Sequence, residues 1–139
     1  MFYGVDWNVD VIVANNLIGA AGTVSGAVRL NGADRLIMVD NLIRCTTGFH
    51  AVRVHANNQI SNQDYWARGN QVEANTQGWS WDCFTAGASL IGPMSDIHHF
   101  DNRGYGIPTG SQAPGLQLRE DGVNQITNLW TDGDLWYSN

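Results

Sequence analysis

Lysine is missing from this chain: all seven of its basic residues are arginine. Thirteen acidic residues outweigh them and leave a formal net charge of −6, so no cationic surface is at hand to neutralise phosphates, and nucleic acid is not an expected partner. Cysteine is almost missing as well. Cys45 and Cys83 fall in turn-like regions without the spacing of a metal site or a redox motif, and two reduced thiols are expected over a disulfide. No long hydrophobic run occurs either. The longest uncharged stretch, Val11 to Val28, is split by Asn15, Asn16, glycine and serine, so it does not suit a bilayer span. No charged start followed by an apolar core marks a signal peptide. Apolar residues at helical spacing are also lacking, which argues against helices.

What the chain does have is a repeat. Five short apolar runs, Val11–Ile18, Leu36–Ile43, Tyr65–Val72, Ile97–Gly104 and Val123–Trp130, carry asparagine at one shared position. The asparagines Asn16, Asn41, Asn70, Asn102 and Asn128 follow one another at spacings of 25, 29, 32 and 26 residues, a drifting period in the solenoid range. Further strand-like runs lie between most of them, at Ala27–Leu30, Ala51–Val54, Ala88–Ile91 and Gly115–Leu118. Each period therefore reads as two short strands. Clusters such as Asn31–Asp34, Thr46–Gly48, Ala56–Asn58 and Gly104–Gly106 supply the turns.

Strand side chains alternate between faces, so an inward Asn41 predicts that Ile37, Val39 and Ile43 also point inward, as do Ile12, Ala14 and Ile18 in the first repeat. A buried asparagine is costly alone. In a stack of coils about 4.8 Å apart each amide can bond the ones above and below, so the asparagine column reads as a structural ladder.

The apolar-x-apolar-x-Asn-x-apolar pattern around Asn16, Asn41, Asn70 and Asn128, with the Val28-Arg-Leu30, Val52-Arg-Val54 and Leu116-Gln-Leu118 strands, resembles the right-handed parallel β-helix proteins of the pectate-lyase-like superfamily. The resemblance covers roughly residues 10 to 135. It implies an all-β, single-stranded, right-handed parallel β-helix of about four to five short coils, in a superfamily of polysaccharide lyases, hydrolases, epimerases and phage tailspikes. No paired-Asp motif with a following Gly-His-Gly occurs, and no calcium-site carboxylate cluster with a downstream arginine. The resemblance therefore carries over architecture without catalytic residues. The competing architecture is an antiparallel β-sandwich, which also suits short strands with Gly and Asn turns.

With 139 residues, one domain is expected, residues 1–139, in which residues 1–10 and 129–139, rich in aromatics, are candidate caps for the two open ends. In the register above, Val11, Val13, Leu36, Met38 and Tyr65 point outward as an apolar stripe. Two readings fit it: a homo-oligomer interface, or a surface covered by the chain's own segments.

Candidate chemistry lies on the outside. The residue before each asparagine reads Asn15, Asp40, Gly69, Asp101 and Thr127. Asp40 and Asp101 stand two coils apart, roughly 9 to 10 Å, near the carboxylate separation of an inverting glycosidase; aspartate is also a common turn residue. Arg68 falls in a column held elsewhere by Ala14, Val39, Phe100 and Ile126, so burial predicts either an ion pair with Glu73 or Asp64 or a strand shift. A shift would bring it out beside the aspartates, where it would bind a sugar carboxylate or neutralise an enolate. Trp79 and Trp81, on an expected long loop from Glu73 to Gly87, share one face of an extended segment: a sugar platform, or a seal at an end or subunit contact. His98, His99 and Tyr105 follow as hydrogen-bonding groups, with His99 a candidate base. His98 and His99, being adjacent, face opposite ways and do not share an ion; no metal or cofactor is expected.

Three classes follow: a carbohydrate-active or carbohydrate-binding β-helix with a poly- or oligosaccharide partner, a structural or adhesive oligomeric solenoid, and a piece of a longer enzyme.

Overall fold

The computed structural model of the chain describes residues 10–20, 27–45, 50–56, 61–74, 77–83, 92–106, 115–120 and 124–137. The expected cap at residues 1–10 lies outside these except for Asp10, as does the run Ala88–Ile91.

The chain is a parallel β-solenoid whose every described element is a strand. Its first pass runs through β1 (Asp10–Ala14), β2 (Leu17–Ala20) and β3 (Val28–Asn31), and its second through β4 (Arg35–Val39), β5 (Leu42–Cys45) and β6 (His50–His55). β7 (Tyr65–Arg68), β8 (Gln71–Ala74) and β9 (Gln77–Asp82) follow, then β10 (Met94–Phe100), β11 (Arg103–Tyr105) and β12 (Leu116–Arg119). β13 (Ile126–Asp132) and β14 (Leu135–Trp136) come last. Like strands stack in parallel into three sheets, ordered β1-β4-β7-β10-β13, β2-β5-β8-β11-β14 and β3-β6-β9-β12. A pass thus holds three strands rather than the expected two. The extra break is the two-residue corner between the first and second strands, too short to read as a turn in the sequence.

That corner decides which side chains face the core. Asn15, Asp40, Gly69, Asp101 and Gly133 all adopt left-handed backbone, with φ of 56°, 52°, 64°, 54° and 70°. One such residue resets the alternation, so Met38 and Asn41, three apart, both point inward while Asp40 points out. The expected inward set is therefore corrected: Ile12 and Ile37 are exposed, and Val39 is half-buried. The expected outward stripe fails for the same reason. Val13, Leu36, Met38 and Tyr65 are buried core residues, and Val11 packs partly against them.

The core is built from columns. Leu36, Tyr65 and Ile97 lie in register on the first sheet, Ile18, Ile43 and Val72 on the second, and Val52, Trp79 and Leu116 on the third. Cys45 and Cys83 are buried and form no disulfide, as expected of two reduced thiols. Residues 129–137, expected as a cap, form β13 and β14, and Trp136 packs on the core over Gly115.

The asparagine ladder runs along the first corner. Asn16 Nδ2 donates to Asn41 Oδ1 at 3.2 Å, Asn41 Nδ2 to Asn70 Oδ1 at 2.8 Å, and Asn70 Nδ2 to Asn102 Oδ1 at 2.9 Å. The second amide hydrogen of Asn41, Asn70 and Asn102 goes to a carbonyl of the previous pass, Val13, Met38 and Ala67 respectively. Each backbone N–H also donates forward to the next side-chain oxygen. The fifth rung is corrected from Asn128 to Asp134: Asn102 donates to Asp134 Oδ1 from its backbone at 2.8 Å and its side chain at 3.1 Å. Asn128 has left-handed backbone within β13 and donates instead to Asp96 at 2.9 Å.

Candidate functional site

The outer face of the first sheet gathers most of the exposed chemistry. Alternation on β1, β4, β7, β10 and β13 stacks Ile12, Ile37, Trp66, His98 and Trp130 in one outward column. Ile12 is 70% exposed, Trp66 42% and Trp130 45%. The rings form a continuous stack: Trp66 lies on His98 at 3.9 Å between centroids and 9° between planes, and His98 on Trp130 at 4.5 Å and 10°. Inside the stack the rings cover one another and offer only edges to solvent. Trp130 stands on the last strand of the sheet, is 45% exposed, and stacks on His98 at the end of the run of rings.

The next outward column is Ala14, Val39, Arg68, Phe100 and Asp132. Arg68 is therefore not a buried charge. It points to solvent and pairs with Asp101 at 3.7 Å rather than with Glu73 or Asp64, while Glu73 takes Arg44 at 2.7 Å. Arg68, Phe100, Asp101 and Asp132 line a shallow cleft of about 270 Å³ beside the aromatic column. Both members of the Arg68–Asp101 pair are well over half exposed, so the pair itself contributes little stability and is free to exchange partners.

Asp40 and Asp101 sit on the corner that borders this cleft, with Gly69 between them. Each carboxylate leans over the glycine of the following pass, Asp40 on Gly69 and Asp101 on Gly133. The last member of this corner column is Gly133 and not Thr127, which pairs with Ser95 inside the sheet. Three expected site residues thus come together here, Arg68, Asp40 and Asp101, joined by His98.

The others do not. Trp79 and Trp81 do share one face of an extended segment, but that segment is β9 and the face is the core: both side chains are fully buried, so no loop platform exists. His99 is equally buried, held by Asp134 Oδ2 at 2.6 Å from Nδ1 and edge-on to Trp79 with centroids 5.0 Å apart. Its position in β10 alternates with His98, which sends one ring in and the other out. Tyr105 lies on the second sheet, stacked on Tyr137.

Sequence reasoning missed a charged cluster on the outer side of the third sheet. Asp82, at the end of β9, is buried, and its Oδ2 accepts from Arg53 Nε at 2.6 Å and Arg119 Nη1 at 3.5 Å, while Ser80 donates to Oδ1. His55 Nδ1 lies 3.7 Å from the same carboxylate. Burial, reinforced by the Arg53 charge, pushes the His55 imidazole down to about 4, and burial also lowers His50, which contacts Gln117 at 2.9 Å. The alternating Val-Arg-Val of β6 was the available signal, since it puts Arg53 outward. Nothing in the sequence announces that Asp82 meets it.

Among the described residues no group of three or more His, Cys, Asp or Glu side chains is placed to hold a metal ion, and no helix is long and apolar enough to cross a membrane. No protein-family model matches the chain, and neither the curated proteins nor the solved structures contain a significant match.

Proposed function

We propose that this solenoid binds carbohydrate along the outer face of its first sheet. The observation that carries the reading is Trp130: a half-exposed indole at the end of a ring stack, beside a cleft furnished with Arg68, Asp101 and Asp132. A sugar ring stacks its apolar C–H face on such a surface while its hydroxyls reach charged and polar groups at the side. Affinity for sugars in the wider pectate-lyase-like superfamily agrees with this reading through architecture alone.

Binding is the activity the surface supports best, with hydrolysis a narrower version of it. Asp40 and Asp101 lie two strand spacings apart, roughly 9.6 Å, at the upper end of the spacing that leaves room for a water between an acid and a base. Product release from a bound oligosaccharide, abolished by Asp101→Asn, would make the surface an active site.

The competing reading is self-association through the same column, favoured by Ile12 and Ile37 at its other end. Size weighs against it as the main role. Five strands about 4.8 Å apart and about five residues long present roughly 400 Å², so two copies face to face hide about 800 Å², below the 1,200–2,000 Å² of stable complexes.

A glycan array followed by titration of the tryptophan fluorescence tests the proposal. Binding that Trp130→Ala abolishes, with the fold intact by circular dichroism, supports it. Absence of binding to every neutral and charged glycan, with a dimer in sedimentation that Ile37→Asp dissolves, assigns the face to assembly instead.

A further inference from the structure

We infer that the carbohydrate this face takes is cationic, a glycan bearing free amines, and that the face discriminates against the acidic sugars an arginine-lined cleft would suggest. The inference rests on the carbohydrate reading above and adds the charge class of the ligand.

The argument comes from what borders the aromatic column on each side. On the side of the strand starts, Asp10, Arg35, Asp64, Asp96 and Asn128 stand two residues before Ile12, Ile37, Trp66, His98 and Trp130. Arg35 is occupied by Asp10, to which its Nη2 donates at 2.9 Å, and it also feels the charge of Asp64. Asp96 accepts from Asn128 Nδ2 and Ser95 Oγ, each at 2.9 Å, and these bonds hold its carboxyl below the usual carboxylate range. On the side of the strand ends lie Asp40, Asp101 and Asp132, with Arg68 as their cation. Six aspartates therefore flank the column against two arginines, and each arginine already has a carboxylate partner.

Two rails of negative charge with a strip of rings between them make a field that attracts cations to the strip and repels carboxylates from it. Ring faces and edges suit an amine-bearing ring system doubly. The exposed indole of Trp130 takes the apolar face of the sugar, and a protonated amine near the ring and near Asp132 gains both cation–π and ion-pair attraction. A polyuronate meets the same ring with its charge facing Asp101 and Asp132. Only Arg68 offsets that repulsion, and only by leaving Asp101.

A straight row of ring edges on three neighbouring strands suits an extended polymer of repeating rings, which favours an amino glycan over a basic peptide; the peptide enters as a control. The test is calorimetric titration of the whole chain with four oligomers of equal length: β-linked glucosamine, its fully N-acetylated form, a polyuronate and oligolysine. The glucosamine oligomer is expected to bind tighter than its N-acetylated form by at least about threefold. That advantage is expected to disappear as salt rises from about 0.01 to about 1 M and the screening length falls from about 30 to about 3 Å. Asp101→Asn/Asp132→Asn, with the fold intact by circular dichroism, is expected to bring the ratio of the two affinities close to one, whatever happens to the absolute affinity of either oligomer.

Equal affinity for the two glucosamine forms, or tighter binding of the polyuronate, overturns the inference and leaves the carbohydrate reading standing. Binding of none of the glycans overturns both. Oligolysine bound as tightly as the glucosamine oligomer shows attraction for any polycation, and overturns the assignment to a glycan.

Discussion

The carboxylate of Asp40 fills the space that a side chain at Gly69 would need: a Cβ built on Gly69 collides with Asp40 Oδ1. Gly69 also has φ of 64°, a conformation Asn15, Asp40 and Asp101 adopt at the same corner but one that strains most other side chains, so substitution there is disfavoured both by conformation and by contact.

Gly69→Ala is therefore expected to destabilise the protein by about 1–3 kcal/mol, read as a lower urea midpoint. Asp40→Gly, which removes the obstructing carboxylate, is expected to restore part of that loss when combined with it. Simple additivity of the two changes would show that Asp40 does not press on Gly69.

Asn70 is the middle of the ladder, and its oxygen accepts from both the backbone and the side chain of Asn41. Asn70→Ala strands those two donors in the interior and is expected to cost more than about 3 kcal/mol in equilibrium unfolding. Asn16→Ala, at an exposed end where only outgoing bonds are lost, is expected to cost less than about 1 kcal/mol. Equal losses at the two positions would contradict the ladder.

The buried histidines set a pH dependence. His55 and His50 have folded values below the ordinary 6.5, so between pH 6.5 and about 4 the unfolded chain binds more protons than the folded one. Stability is then fully present above about pH 6.5 and falls as the solution is acidified towards pH 4. The expected loss is on the order of 3 kcal/mol for His55. His55→Gln, which cannot charge, should flatten the slope of the urea midpoint between pH 7.5 and 4.5.

Cys45 and Cys83 are buried and unbridged. Both thiols are expected to react with a chromogenic disulfide reagent only after denaturant is added, giving two equivalents per chain. Prompt reaction in buffer would show that the core around β5 opens freely.

The repeat was legible because it is a one-dimensional signal: asparagines at matching places in apolar runs, with the same hydrogen-bonding need each time. What alternation alone mis-set was the face. Counting by twos from Asn41 puts Ile37 inside, and only the left-handed Asp40 between them moves Met38 and Leu36 in instead. The same slip turned Val13 and Tyr65 outward and hid the true outer column of Trp66, His98 and Trp130. Trp79 and Trp81 do share one face, but of a core-facing strand and not of a loop, because a solenoid's third strand looks like an insertion when two strands are expected. Asp134 escaped notice as a rung because carboxylate and amide share a shape and an acceptor but not a letter.

The ladder's bonds from one side chain to the next all point one way along the stack, and Asp134 receives without holding a side-chain amide to hand on. The corner is thus a directed sequence with a stop sign. Additional asparagine coils spliced anywhere before Asp134 find a donor behind and an acceptor ahead, whereas the Asp134 carboxylate has no side-chain amide to donate onward. Ahead of Asp134 the ladder could in that sense be lengthened or shortened a coil at a time, as a ruler is cut at its marks.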